Sequence, residues 1–292
     1  MGAVLVWLGP SLAQGQSAAG GGNGVPRETG TASGLFDRVI ANQKRMEVTL
    51  ETYERVQKVE SRKSGSDTKP PDSKTWRLFP SGPAVTKILL AANGTPTTAE
   101  AQRAELQKLV KYLEWVIEGG SGPKEAYAKA EKKGKERREL VSETKDAFVF
   151  TRMGDEMRGD RKLAMFSMEP NPHFKPPTRN AVVFTRVKGT LWIDEEAGEL
   201  AKIEGTVTED ISIALFLAKV NKGSHFMQER YEMEPGKWFP SFEQYDFDGR
   251  KFLMTFSIHE RTLYSDYRRV GPPAEALGVA RGELDKVNGG KP

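Results

Sequence analysis

The chain contains no cysteine. That absence excludes disulfides, Cys-ligated zinc, thiol nucleophiles, iron–sulfur clusters and a lipid-modified N-terminal cysteine. Histidine is nearly as scarce: His173, His225 and His259 are the only three, too few for most His-based metal or triad chemistry. No surplus of one charge exists either, since 44 Lys+Arg against 40 Asp+Glu leave +4 over 292 residues. A balance so near neutral lacks the signature of a nucleic-acid binder. No apolar run is long enough to span a bilayer. The phosphate loop G-x-x-x-x-G-K-[ST], the nucleophile elbow G-x-S-x-G and the zinc pattern H-E-x-x-H are missing. What is present is 37% hydrophobic residues, over a length that can bury a sizeable core. Subtraction points to a non-catalytic binding or structural protein, with no cofactor and no metal expected.

The N-terminal end reads as a targeting segment or else as a plain apolar tail, and the C-terminal end suggests no function. Residues 3–8, Ala-Val-Leu-Val-Trp-Leu, precede Gly9-Pro10 and the small residues Ser11 and Ala13. This matches the end of a secretory signal peptide cut after Ala13, although Met1-Gly2 supplies no basic region. A periplasmic or otherwise exported location follows. Residues 14–34, rich in Gly, Ser, Ala and Gln, form a flexible linker. Residues 272–292 form a polar tail with room for a short helix over 274–280.

Between the ends, periodicity separates a mixed half from a β-rich half. Phe36, Val39 and Ile40 share one helical face at the start of the fold. Strands are expected over 48–59, 76–79 and 85–91. Thr97-Thr98-Ala99-Glu100 is a capping box, opening a helix whose stripe is Leu106, Leu109, Val110, Leu113, Val116 and Ile117. A second, charged helix starts at Pro123 and runs to about Val141; its interleaved Lys, Arg and Glu fit a solvated surface with i,i+4 ion pairs. From Ala147 seven segments alternate like half-buried antiparallel strands: 148–153, 161–168, 181–193, 199–208, 225–233, 238–246 and 251–263. In one of them Ala201, Ile203, Gly205 and Val207 oppose Lys202, Glu204, Thr206 and Thr208. The expected fold is α+β: one strongly curved antiparallel half-barrel of nine or ten strands. Two or three helices cover its concave face. It forms a single domain over 35–271 with a charged helical insertion near 123–141.

Few constellations carry chemistry. Asp194, Glu195 and Glu196 in a turn, with Glu209-Asp210 at a strand end, are the only carboxylate groups that suit carbohydrate hydrolysis. Solvated turns explain them equally well. His225 and His259 lie on separate strands within reach of each other, without a third metal ligand. The segment Asp210–Val220 is the most apolar after the N-terminus, and Leu215, Phe216 and Leu217 form its centre. Together with Phe184, Trp192, Trp238 and Phe242 they are the candidate lining of an apolar cavity.

The β-rich half also carries a resemblance. Gly189-Thr190-Leu191-Trp192-Ile193-Asp194, Gly198-Glu199-Leu200 and Lys202-Ile203-Glu204-Gly205 resemble a recurrent strand–turn–strand of the periplasmic outer-membrane lipoprotein-sorting (Lol-type carrier) superfamily. Lys175-Pro176-Pro177-Thr178-Arg179 and Thr262–Arg269 resemble its uncharacterised relatives. The specific part covers 175–269. The resemblance implies a half-barrel whose cavity shields acyl chains, and lipid, lipoprotein acyl chains or envelope proteins as partners. The physics agrees: at about 0.8 kcal/mol per CH₂, an acyl chain left in water costs on the order of 10 kcal/mol. The expected function is binding of an apolar ligand as carrier, chaperone or envelope sensor. The alternatives are a structural or interaction module of the same fold and, third, a carboxylate-dependent carbohydrate-acting enzyme. The charged helix near 123–141 departs from the small carriers.

Overall fold

The computed structural model describes residues 32–62, 70–119, 121–213, 218–251 and 254–289. The export signal, most of the 14–34 linker and Leu215–Leu217 lie outside them. Helix α1 (Ala32–Leu50) precedes strands β1 (Tyr53–Arg62), β2 (Asp72–Ser81), β3 (Ala84–Ala92) and β4 (Thr95–Pro96). Helices α2 (Ala99–Glu118) and α3 (Ser121–Ala147) come next, then β5 (Phe148–Arg158) and β6 (Arg161–Pro170). A 3-10 helix over Asn180–Arg186 leads into β7 (Val187–Asp194) and β8 (Glu199–Val207). Strands β9 (Ile211–Ile213), β10 (Ala218–Val220), β11 (His225–Glu234), β12 (Lys237–Lys251) and β13 (Met254–Arg269) precede helix α4 (Pro273–Gly289).

Thirteen strands form one sheet in the order β4-β3-β2-β1-β13-β12-β11-β8-β7-β6-β5, with β10 and β9 attached beside β12. The ends of this order are different strands, so the sheet is open, as the expected α+β half-barrel requires. Ten strands are long; β4, β9 and β10 have only two or three residues, too short for a period-2 pattern to show. Most expected ends shift by a few residues, and in two places a helix replaces expected strand. Val48–Leu50 end α1 instead of opening a strand, and 181–186 form the 3-10 helix.

The backbone gathers into two compact units where the sequence pattern runs on as one domain. The first comprises residues up to Lys44, Arg62–Lys69 and Arg137–Arg261; the second comprises Arg45–Ser61, Pro70–Glu136 and Thr262 onward. The boundary falls inside α1, α3 and β13, which keep their periodicity across it and so leave no break in composition.

In the first unit strand parity builds two apolar layers. Ala164, Phe166, Met168, Leu191, Ile193, Leu200, Ile203 and Phe226 form the main core with Leu35, Phe36, Val39 and Leu140 of the helices. Leu163, Trp192, Ala201 and Trp238 form a smaller cluster. Residues 163 and 164, or 191 and 192, are neighbours on one strand, so the second cluster lies on the reverse face. Ala201 was expected on the same face as Ile203 but joins the reverse cluster. Register shifts here: Trp192 pairs with Lys202 and Ile193 with Leu200, leaving Ala201 as the extra residue of a bulge.

The second unit packs α2 and α4 on β2 and β3. The buried stripe of α2 is Leu106, Leu109, Val110 and Leu113, while Ile117 is exposed. Its cap is Thr98, whose side chain accepts from Ala101 N, and Gly119 closes the helix in the left-handed region at φ 74°. The short helix expected over 274–280 extends through the polar tail as α4. Ala276 and Ala280 are fully buried against Phe79, Leu109 and Leu113, because small residues four apart let the helix approach closely. A partly buried ion network, centred on the buried Glu54, fixes it. Glu54 accepts from Arg77 Nε at 2.8 Å and from Arg268, and Glu283 of α4 accepts from Arg77 Nη1 and Arg268 Nη2, each at 2.6 Å.

Candidate functional site

A cleft in the first unit lies between α1, the end of α3 and the inner face of the sheet. Phe36, Val39, Ile40 and Gln43 of α1 line it at i, i+3, i+4 and i+7, with Val141 and Thr144 of α3 one turn apart. The floor is Phe150, Met168, Leu191, Leu200 and Ile203 from β5 to β8, and Gln228 and Arg230 from β11. Counting the part open to solvent, the cleft encloses about 510 Å³, of which about 40 Å³ is cavity proper. One water needs roughly 10–15 Å³ on that measure. As it stands, the space therefore holds a few waters or a short apolar group.

One end of the cleft is polar. Burial alternates along β11, and the buried positions after Phe226 are Gln228 and Arg230. Arg230 donates to Gln228 Oε1 at 3.4 Å, and Gln228 Nε2 donates to Glu243 Oε1 at 3.0 Å and Tyr245 Oη at 3.3 Å. Facing them from α1, the amide Nε2 of Gln43 is buried without a hydrogen-bond partner. A buried donor left unmet costs about 1–3 kcal/mol. The cleft thus joins an aliphatic and aromatic wall to a short run of polar groups.

Helix α1 is pinned over this space. Arg38 donates to Glu195 O at 2.9 Å, and Asn42 Nδ2 donates to Gly198 O at 2.9 Å and Ala197 O at 3.2 Å. Gly198 sits at φ 66°, and a side chain there would come within 3.2 Å of Arg38 Cβ. The β7–β8 turn and the helix fit closely only because that residue is glycine.

Of the residues expected to line a cavity, Phe184, Trp192, Trp238 and Phe242 are not among those lining this cleft, and Leu215–Leu217 lie outside the described residues. Phe184 packs edge-on to Phe148 at 5.4 Å in the main core beside the cleft. Trp192 and Trp238 are in the reverse-face cluster, under Lys202 at 4.4 Å and Arg161 at 5.1 Å. Phe242 pairs opposite Glu229 and adjoins the buried Glu243, which accepts from Gln228 of the cleft floor, so its own side chain leaves β12 on the reverse side. The helix positions Phe36, Val39 and Ile40, expected on one apolar face, do line the space. Gln43, Gln228 and Arg230 are harder to read as lining because polar residues suggest solvent; their signals are the i+7 spacing of Gln43 from Phe36 on α1 and the alternation of Gln228 and Arg230 with Phe226 on β11.

Asp194, Glu195 and Asp210 are held in ion pairs, while Glu196 is exposed. Asp194 is buried, accepts from Ala197 N at 2.9 Å and pairs with Arg161 at 2.7 Å. Glu195 pairs with Arg152 at 2.5 Å, and Asp210 with Lys219 at 2.6 Å. The strand histidines meet a carboxylate between them. His259 Nδ1 lies 2.9 Å from Asp246 Oδ1, and His225 is the cross-strand partner of Asp246. Burial raises the Asp246 pKa, but hydrogen bonds from Gln244 and His259 and the charge of both imidazoles hold it below the usual carboxylate value. Ser257 lies 2.9 Å from His259 Nε2, yet its hydroxyl donates to Asp248 at 2.5 Å. In this arrangement the serine proton is directed to a carboxylate rather than to the imidazole.

No protein-family model and no curated protein matches the chain. Among solved structures it is similar to a putative outer membrane lipoprotein-sorting protein domain from Vibrio parahaemolyticus, at 10% identity and TM-score 0.34, over 86% of this chain and 100% of that one. It is similar to a LolA superfamily protein from Nitrosomonas europaea at 10% identity and TM-score 0.30, over 85% and 98%. A DUF1329 family protein from Desulfovibrio piger follows at 9% and 0.29, over 81% and 92%. No helix among the described residues is long and apolar enough to cross a membrane.

Proposed function

We propose that the protein is an exported, non-catalytic binder of an apolar chain with a polar head, acting as carrier, chaperone or envelope sensor. The observation that carries this reading is the cleft under α1: Ile40, Leu191 and Ile203 offer the chain an apolar wall, and the unmet amide of Gln43 offers the head a donor. A lipid or lipoprotein acyl group has that chemistry. Each CH₂ transferred from water gains about 0.8 kcal/mol, so even a partly buried chain supplies several kcal/mol towards moving α1 aside. The signal-like sequence of residues 3–13 supports an exchange outside the cytoplasm, where an acyl chain has to cross water.

The test is native mass spectrometry of the full chain purified in contact with membranes, followed by titration with a fluorescent fatty acid. Bound lipid and saturable fluorescence are expected, both abolished by Ile203→Trp, which fills the cleft, and unaffected by Met254→Ser at a position 73% exposed. A wild-type protein that carries no lipid and gives no saturable signal overturns the proposal in favour of an interaction module with a self-filled core.

A further inference from the structure

The second unit buries a cation that its own side chains leave uncompensated. Arg55 on β1 is 3% exposed, and its Nη1 has no hydrogen-bond partner. Among the described residues no carboxylate forms an ion pair with it; its contact is the ring of Tyr264, 5.9 Å below the guanidinium. The adjacent residue shows the contrast. Glu54 points to the other face of β1 and is saturated by Arg77 and Arg268. Gln57, two residues on and so on the same face as Arg55, donates to Tyr264 Oη at 3.1 Å and accepts from Lys87 Nζ at 3.3 Å. Tyr264 reaches this face because Asp266, at φ 53°, takes a left-handed conformation that reverses the parity of β13 between Tyr264 and Arg268.

Buried charges in folded proteins are paired, and a guanidinium presents its donors in a planar fork that matches the two oxygens of a carboxylate or phosphate. Arg55 has this fork, a second cation two side chains away in Lys87, an amide in Gln57 and a phenol in Tyr264. We propose that this face of the second unit binds a small oxyanion, carboxylate or phosphate, on Arg55. The exposed Lys87 stands at the entrance and releases Gln57 to the ligand as it turns. This site is separate from the cleft under α1 and does not depend on it.

The experiment uses the full chain with sodium phosphate or sodium acetate as probes, against sodium chloride at equal ionic strength. ¹⁵N-labelled protein is expected to show a saturable shift of the Arg55 Nε–H resonance with at least one oxyanion. In thermal unfolding, phosphate or acetate raises Tm of the wild type, and Arg55→Met weakens that dependence by at least about tenfold, the loss of a charge-assisted pair of hydrogen bonds. A response to acetate alone identifies a carboxylate ligand, and one to phosphate alone a phosphoryl group. The proposal is overturned if Arg55→Met responds as the wild type does, or if chloride produces the same saturable shift. Should Arg55→Met fail to fold, the wild-type resonance decides alone: no saturable shift with either oxyanion refutes it.

Discussion

Substituting Asn42 by alanine should make the protein less stable and a better binder of apolar chains. The cavity proper is about 40 Å³, so a chain enters only when α1 moves off the sheet. Closure is held by the hydrophobic face of Phe36 and Val39 and by the hydrogen bonds of Arg38 and Asn42 to the β7–β8 turn. Asn42→Ala removes two of those bonds while leaving every cavity-lining side chain in place. A neutral hydrogen bond contributes about 0.5–1.5 kcal/mol net. The two share one amide and end on carbonyls at the edge of solvent, so their joint loss is about 1–1.5 kcal/mol. That favours the open form by about tenfold, and apparent affinity scales with the fraction already open. A fluorescent fatty acid should therefore bind about tenfold more tightly to Asn42→Ala, while urea unfolding shows the matching loss of stability. Hydrogen exchange in α1 provides the control. If α1 amides exchange faster and affinity stays constant or falls, then α1 does not gate the cleft and the reasoning fails.

Other perturbations test the packing. Gly189 and Gly205 face each other across β7 and β8. A Cβ on Gly205 meets the Phe226 ring at 2.2 Å, and one on Gly189 meets the carbonyl oxygen of Glu204 at 1.9 Å. Gly205→Ala should cost about 1–3 kcal/mol in urea unfolding as the ring shifts, and Gly189→Ala more, because a paired backbone cannot step aside; the reverse order would contradict the stated contacts. Burial raises the Glu283 pKa, but Arg77 and Arg268 hold it below its ordinary 4.5. Its stabilisation is thus complete above that value and is lost as pH falls through the lower folded value, so Glu283→Gln should flatten the acid limb of the stability profile. Asp194→Asn weakens the pair with Arg161 and should cost about 1–2 kcal/mol, measured by denaturant midpoint.

Much of the fold was legible because burial and periodicity coincide. The ten long strands correspond to segments visible as alternation, apart from shifted ends, and the first helical face is the one over the cleft. The candidate site was less legible, for a local reason. Choosing Trp192, Trp238 and Phe242 by aromatic size ignores parity, and on these strands the inward positions are Leu191, Glu243 and Tyr245. The bulge at Ala201 could not be read from a segment that alternates without a break. Only the first part of α4 was legible, as a short helix over 274–280, because its fully buried residues are alanines, whose small apolar surface registers weakly in a sequence otherwise polar at that end.

The sheet ends at β5, whose register slips between Arg152 and Gly154 so that Met153 has no partner on β6. Arg152, Asp155 and Lys162 crowd the same stretch with paired charges. A foreign strand laid along this border would have to match two registers at once and displace those ions. At its other end β4 pairs only with Ala91 and Ala92, so there the border passes to the rest of β3. Growth by edge pairing is thus hindered on the β5 side alone. If the cleft beside β5 opens to accept a chain, as proposed, that border adds little risk of joining the protein to its own copies.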